Sequence, residues 1–362
     1  MKKNTIVLIA VLGAAILILA AIFGRVIVHP DSYLFSSSGD AVKSYYNFSY
    51  YLKYDSGIDH NGINYPYGDH LQYINSHPLY LQFIKFLDSF LFPLSDHGVG
   101  ILNLSMIFSL LLAIPFIYLI LRKFSLPPWY AAVVSLIILF MSPQLDRLGG
   151  HFEMVYAFFI PLFWYLLIRW HEASRKVGWS LLLLTTALLG GFTSAYYAAF
   201  LAIFPMAIFL VQIVVHRKEL RKYLPEGIHL LVIAILPLLI VRGLVILTDW
   251  VDDRPDNPWG FFIFHANVFS IFLPPNSVFR GLVSGIVPIS YQWEGRAYVG
   301  LPATVLALSL LITLILQYTH LKRPRWKSYF PNKKLNLYLA AAFRVLLFSM
   351  CIPFKWGLGF LT

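Results

Sequence analysis

Charge is what this chain has least of. Asp, Glu, Lys and Arg make up 12 % of its 362 residues, against roughly 25 % in ordinary soluble domains. A chain so poor in charge cannot cover a water-facing surface, and 59 % hydrophobic residues agree, so a soluble globular fold is excluded and an integral membrane protein is implied. Cysteine is nearly absent as well: Cys351 stands alone in the last apolar run. That excludes both an internal disulfide framework and a thiolate metal site. Nor does any internal repeat stand out, which counts against a transporter or flippase assembled from duplicated halves.

Long apolar runs are plentiful. About 20 apolar residues in a helix cross about 30 Å of hydrocarbon, so run lengths translate into crossings. We read nine: Thr5 to Val28, Val99 to Leu121, Leu126 to Leu145, Met154 to Ile168, two within Val177 to Val215, then Ile228 to Trp250, Tyr298 to Tyr318 and Leu335 to Ile352. The stretch from Val177 to Val215 is too long for one crossing, and Gly190-Gly191-Phe192-Thr193-Ser194 supplies a turn for a helical hairpin. The first run is longer than a signal-peptide core and no small-x-small cleavage pattern follows it, so it reads as an uncleaved anchor. The expected fold is an all-α membrane protein forming one transmembrane domain over residues 1–362.

Lys and Arg are retained in cytoplasmic loops. With the N-terminus inside, the inner segments hold 17 of the 28 basic residues, among them Arg122, Lys123, Arg169, Arg175, Lys176, Arg217 and Lys218. Only Glu172, Glu219 and Glu226 of the 17 acids fall there. The net charge of +11 is therefore a topology signal toward anionic headgroups, with no nucleic acid implied. The N-terminus is expected in the cytoplasm.

Two outer segments are too long to be turns, residues 29–98 and residues 249–296, and polar chemistry is expected on that face. In the first, Asp40 follows Ser36-Ser37-Ser38-Gly39, where it suits an N-cap for a helix from Ala41 to Tyr54 or a base at the lip of a membrane cavity. From Leu79 to Leu94 apolar residues recur with Lys85 and Asp88 on another side, which suits a helix lying along the interface. Between the third and fourth runs comes Asp146-Arg147-Leu148-Gly149-Gly150-His151-Phe152-Glu153, four ionisable side chains in eight residues. Charges at such a boundary tend to face a cavity or to pair, as Asp146 with Arg147 or Arg147 with Glu153. His151 is a candidate metal ligand or acceptor contact. The second outer segment holds Arg254 in an acidic run and ends in Trp293-Glu294-Gly295-Arg296-Ala297-Tyr298. Arg242 and Arg344 lie inside apolar runs, where each either pairs or holds a phosphate.

A first span, a large outer loop with an early Gly-Asp, an interfacial helix and an acidic cluster after the third span together resemble the GT-C superfamily of membrane glycosyltransferases. More narrowly, Glu294-Gly295-Arg296-Ala297-Tyr298-Val299-Gly300 is similar to a Glu-Gly-x-Ala-Tyr-x-Gly motif in uncharacterised bacterial members. The resemblance implies a polyprenyl-phosphate sugar as donor, a glycan, lipid or protein as acceptor, inversion at the sugar carbon, and a bacterial inner-membrane location. It assigns Asp40, with Asp146 or Glu153, to catalysis, and it allows a divalent cation, Mg or Mn. His151, Arg147, Arg254, Glu294, Arg296 and Tyr298 become substrate-binding candidates. Relatives continue through further spans, so an end at Phe360-Leu361-Thr362 reads as a fragment or a truncated product. The alternative is a transporter or flippase of a lipid-linked glycan, with the same charges lining a path.

Overall fold

The computed structural model describes residues 2–74, 77–91, 93–252, 254, 265–266, 268–273, 298–321 and 333–349. They are predominantly helical. In chain order the helices are α1 (Lys2–Val28), α2 (Gly39–Tyr54), α3 (Pro78–Phe90), α4 (Gly98–Lys123), α5 (Pro128–Phe140), α6 (Phe159–Glu172), α7 (Val177–Thr193), α8 (Ala195–Val215), α9 (Leu220–Thr248), α10 (Val268–Phe272), α11 (Leu301–Leu321) and α12 (Lys333–Ser349). A two-residue hairpin, β1 (Asp59–His60) and β2 (Asp69–His70), pairs antiparallel between α2 and α3, with Asp59 opposite His70 and His60 opposite Asp69.

Among the described residues, five segments are long and apolar enough to cross a membrane: Asn4–Val28, Ser95–Lys123, Phe152–Glu172, Ala195–Val215 and Leu220–Thr248. The protein is membrane-like and all-α, as its composition requires. Shorter apolar helices are Pro128–Phe140, Val177–Thr193, Ala303–Thr313 and Leu335–Ser349. The third apolar run illustrates why a run can exceed its helix. Pro128 opens α5 and Ser142-Pro143 stops it, because the residue before a proline avoids the helical region. Its 13 residues span only about 20 Å at 1.5 Å each. The expected hairpin within 177–215 is a pair of helices broken at Ser194, which is extended (φ −156, ψ 135). Gly190 and Gly191 stay helical. Gly191 serves close packing instead, since a Cβ there would stand 2.9 Å from Val241 Cγ2 on α9.

The chain divides into two compact units. The first comprises residues 1–206 and 221–253. Its centre is α4, which packs against α1, α5, α6 and α2. Along the middle of α1, Val11, Ala15 and Leu19 meet Ile107, Leu110 and Ile114 of α4 in one apolar cluster. A second cluster joins Ala41, Tyr45, Phe48 and Leu52 of α2, at helical spacing, to Leu81 and Ile84 of α3, Leu102 and Met106 of α4, and Leu148 and Phe152. That spacing is the apolar stripe of an amphipathic helix. The polar side of α3 also turns toward protein: Lys85 Nζ donates to the Leu52 carbonyl (2.7 Å), Gln82 donates to the Gly57 carbonyl, and Asp88 accepts from Leu94 and Ser95 N–H (2.6 and 2.8 Å). Phe83, Phe86 and Phe90 face outward.

The second unit comprises residues 207–220 and 254–362. In it the Ala266 N–H donates to the Ser349 carbonyl (3.1 Å) and the Val299 N–H to the Ile271 carbonyl (3.0 Å). The C-terminal residues 350–362, on which the expectation of a truncated end rests, lie outside the described residues.

Candidate active site

Asp40 reaches its place through a polar hub that sequence reading missed. Asn103, fully buried on α4, donates from Nδ2 to the Pro30 and Tyr33 carbonyls (2.8 Å each) and accepts from the Tyr45 hydroxyl (2.5 Å). The Tyr45 oxygen in turn accepts from the Phe35 N–H (3.1 Å). One side chain thereby fixes residues 30–35 and the start of α2 onto α4. Asp31 adds a second tie, accepting from Gly100 N–H (2.7 Å) and lying 2.8 Å from His97 Nδ1. Burial holds the Tyr45 phenol up at about 12, so it stays a donor. The signal for this hub was legible: Asn103 is an amide in a run otherwise built of apolar residues and serines, and a buried amide must find partners.

The expectation that Asp40 caps α2 is corrected. The helix begins at Gly39, whose φ of +57° lets the chain turn into it, so Ser38 stands at the cap and Asp40 lies inside the first turn. Its carboxylate is half exposed and points to the second cluster: Asp40 Oδ2 is 3.6 Å from His151 Nε2. Tyr45, one turn further along α2, stacks edge-on against Phe152 at 4.9 Å between ring centres, so the same helix is clamped on both sides of the contact. His151 has a left-handed backbone (φ 58, ψ 51), a conformation uncommon for a residue with a Cβ and concentrated at functional positions.

Behind this pair stands Glu153. It is 3 % exposed, and neither carboxylate oxygen has a hydrogen-bond partner among the described residues. Buried carboxylates without donors are costly. Glu153 lies within electrostatic reach of His151, Asp40 and Arg147 and of Tyr156 and Tyr197. Asp146, by contrast, is exposed, and its side chain makes neither an ion pair nor a hydrogen bond among the described residues. Of the two acidic candidates near the fourth apolar run, Glu153 is the one coupled to Asp40. The expected Asp146–Arg147 and Arg147–Glu153 ion pairs do not form among the described residues.

Beyond Glu153 the lining becomes apolar. Tyr156 is nearly buried, its hydroxyl 3.3 Å from Ser105 Oγ, and its ring packs edge-on against Tyr80 at 6.4 Å. Tyr80 also lines a cavity of about 370 Å³ with Leu79, Phe83, Phe158, Phe159 and Leu162. Tyr80 and Tyr156 are thus the ring contact between the cavity and the segment that carries Glu153.

Arg254 and Tyr298 belong to the second unit, each partly exposed. Glu294 and Arg296 lie outside the described residues. Arg242 donates from Nη1 to the Tyr73 hydroxyl (3.0 Å), so this cation is tied to the first outer segment. Among the described residues no three His, Cys, Asp or Glu side chains are grouped to hold a metal ion.

A family model described as Domain of unknown function (DUF6311) matches residues 10–357. No curated protein and no solved structure matches the chain.

Proposed function

We propose that this chain, which belongs to the family described as Domain of unknown function (DUF6311), is a membrane glycosyltransferase of GT-C type that moves a sugar from a polyprenyl-phosphate donor to an acceptor hydroxyl at the outer face of a nine-span bacterial inner-membrane protein. One observation carries the reading: Asp40 and His151, over a hundred residues apart in sequence, stand 3.6 Å apart in front of the buried, unpartnered Glu153.

The chemistry asks for such a group. An acceptor hydroxyl is a poor nucleophile, so a carboxylate within about 3 Å must take its proton as it attacks. Asp40 is the base, since of the two carboxylates in the cluster it is the one exposed to an incoming hydroxyl, Glu153 being buried. Asp40 offers the accepting oxygen, and His151 Nε2, 3.6 Å from it, borders the same spot, where a hydroxyl can approach both from the open side. The hydroxyl oxygen bonds to the anomeric carbon, the bond from that carbon to the donor phosphate breaks, and the phosphate leaves with the electron pair. A direct displacement inverts the sugar carbon. Negative charge gathering on the phosphate calls for a cation, and Arg147, within electrostatic reach of Glu153, is the candidate in the first unit. The apolar cavity beside Tyr80 suits part of the donor's hydrocarbon chain, whose burial is worth about 0.8 kcal/mol per CH₂.

The test is turnover of purified protein with radiolabelled polyprenyl-phosphate sugars. Wild type transfers label, and Asp40→Asn loses at least about two orders of magnitude, the usual contribution of a general base. Equal turnover in the two removes Asp40 as base. Uptake or flipping of donor without any transfer overturns the enzyme reading in favour of transport.

A further inference from the structure

The exposed aromatic residues of the first outer segment are of two kinds, and the division follows the structure. From residue 43 to residue 82 every exposed large hydrophobic side chain among the described residues is a tyrosine: Tyr46, Tyr54, Tyr65, Tyr67 and Tyr73. From there α3 exposes Phe83, Phe86, Phe90 and Leu91. Phenylalanine and leucine on an outward face suit hydrocarbon. Tyrosine, with an apolar ring and a hydroxyl tip, suits a surface that is wet yet makes ring contacts.

The tyrosines of α2 are held in a fixed arrangement. Tyr46, Tyr50 and Tyr54 recur at four-residue intervals, and their rings pack in series at 5.6 and 4.9 Å between centres. The hairpin fastens the series at two points: the Tyr46 hydroxyl donates to the Gly62 carbonyl (2.7 Å), and Tyr50 packs against the His60 ring at 5.4 Å. Gly62 makes the fit possible, because a Cβ there would stand 2.6 Å from Tyr50 Cδ1. Tyr54, at the open end, is 71 % exposed, and the hairpin tip carries Tyr65 and Tyr67 at 87 % and 82 %. The polar neighbours rule out hydrocarbon as the occupant of this face: Lys53 pairs with Asp96 (2.8 Å), and Asp59, Asn61 and Asn64 are exposed in the same segment. Val42, one turn before Tyr46 on α2, adds an exposed aliphatic side chain at the edge of this face, but a single valine falls short of the contiguous apolar area that the core of a protein interface needs.

We infer that this tyrosine face, Tyr46 to Tyr54 with Tyr65 and Tyr67, is a binding platform for an oligosaccharide. A pyranose ring offers one face of C–H bonds to an aromatic ring and a rim of hydroxyls to carboxylates, amides and phenols. A rigid tyrosine series set among Asp59, Asn61 and Asn64 supplies both. The platform lies on the helix whose first turn carries Asp40, so it names the acceptor of the proposed reaction as a glycan chain; only that word, acceptor, rests on the reading above.

Binding is measurable without turnover. Full-length protein in lipid nanodiscs is titrated calorimetrically with maltohexaose, cellohexaose and chitohexaose. At least one binds saturably, Tyr54→Ala and Tyr67→Ala each weaken it about tenfold, and Tyr54→Phe weakens it less because the ring remains. Both side chains are exposed, so the thermal midpoint of each variant stays at the wild-type value and separates lost binding from lost folding. Failure of wild type to bind any of the three sugars, or unchanged affinity in the Tyr54→Ala, Tyr67→Ala double variant, overturns the platform. Either result leaves Asp40-dependent transfer to stand or fall by its own assay.

Discussion

His60 is kept neutral by its surroundings. Its ring is fully buried, Nε2 donates to the Asn47 carbonyl (3.1 Å), and Nδ1 accepts from the Gly62 N–H (3.2 Å). An Nδ1 that accepts carries no proton. Burial therefore pushes its pKa below the usual 6.5, with the Asn47 carbonyl and Asp55 opposing in part. The sign follows from linkage: where the folded pKa is depressed, the unfolded chain binds the proton more readily, so stability falls as pH drops from about 6.5 toward the lowered value. A thermal unfolding series from pH 7.5 to 5 on wild type and His60→Asn tests this. Wild type loses more stability over that interval, and parallel curves would remove His60 as the cause. The residue scale is also where sequence reading was most divided. Asp146 and Glu153 were equal candidates because both are acids at one membrane boundary. Only burial and proximity separate them, and neither is written in residue type.

At the scale of elements, α2 is placed by a side chain on another helix. Asn103 satisfies two carbonyls and a phenol in a buried site, so its loss strands three polar groups in place of one. Asn103→Ala is expected to destabilise the fold by at least about 3 kcal/mol, from about 1–3 kcal/mol for each of the three groups left unsatisfied. It would also release Asp40 from His151. The readout is a fall of several degrees in the detergent-solubilised melting temperature together with lost transfer. An unchanged melting temperature would mean that α2 is held by its apolar stripe alone. The helices themselves were legible wherever hydropathy and proline agreed. Pro127-Pro128 and Pro143 bound α5 in the sequence, yet the hydropathy run overshot them to Leu145. The break between α7 and α8 was expected near the glycine pair, and it falls at Ser194 because Gly190 and Gly191 are needed as flat helical surface. Chain punctuation alone does not tell a glycine that turns from a glycine that packs.

For the whole molecule, the arrangement of basic residues makes a prediction about sidedness. One end of the first unit gathers Lys123 with Glu172 (2.5 Å), Lys176 with Glu226 (3.1 Å), and Lys176 over the Trp170 ring (4.3 Å). These contacts tie α4, α6, α7 and α9 together on one side, while Asp40, His151 and the hairpin belong to the segments expected on the other. In a Cys351→Ser background, Ser56→Cys is expected to react with a membrane-impermeant maleimide on intact cells. Ser174→Cys should react only after permeabilisation. The reverse pattern would invert the topology and move the proposed site to the cytoplasm.

Hydropathy and charge, read along the chain, were enough to determine that this protein lives in a membrane, that it is helical, and that its ionisable residues crowd into a few short segments. These are properties of composition and of local runs, which every residue carries wherever the chain goes. The meeting of Asp40 with His151, the seclusion of Glu153, and the fastening of the tyrosine series by Gly62 were decided by tertiary structure alone. Each depends on distances between residues far apart in the chain, set by how α2 and the hairpin pack against α4 and the turn before α6.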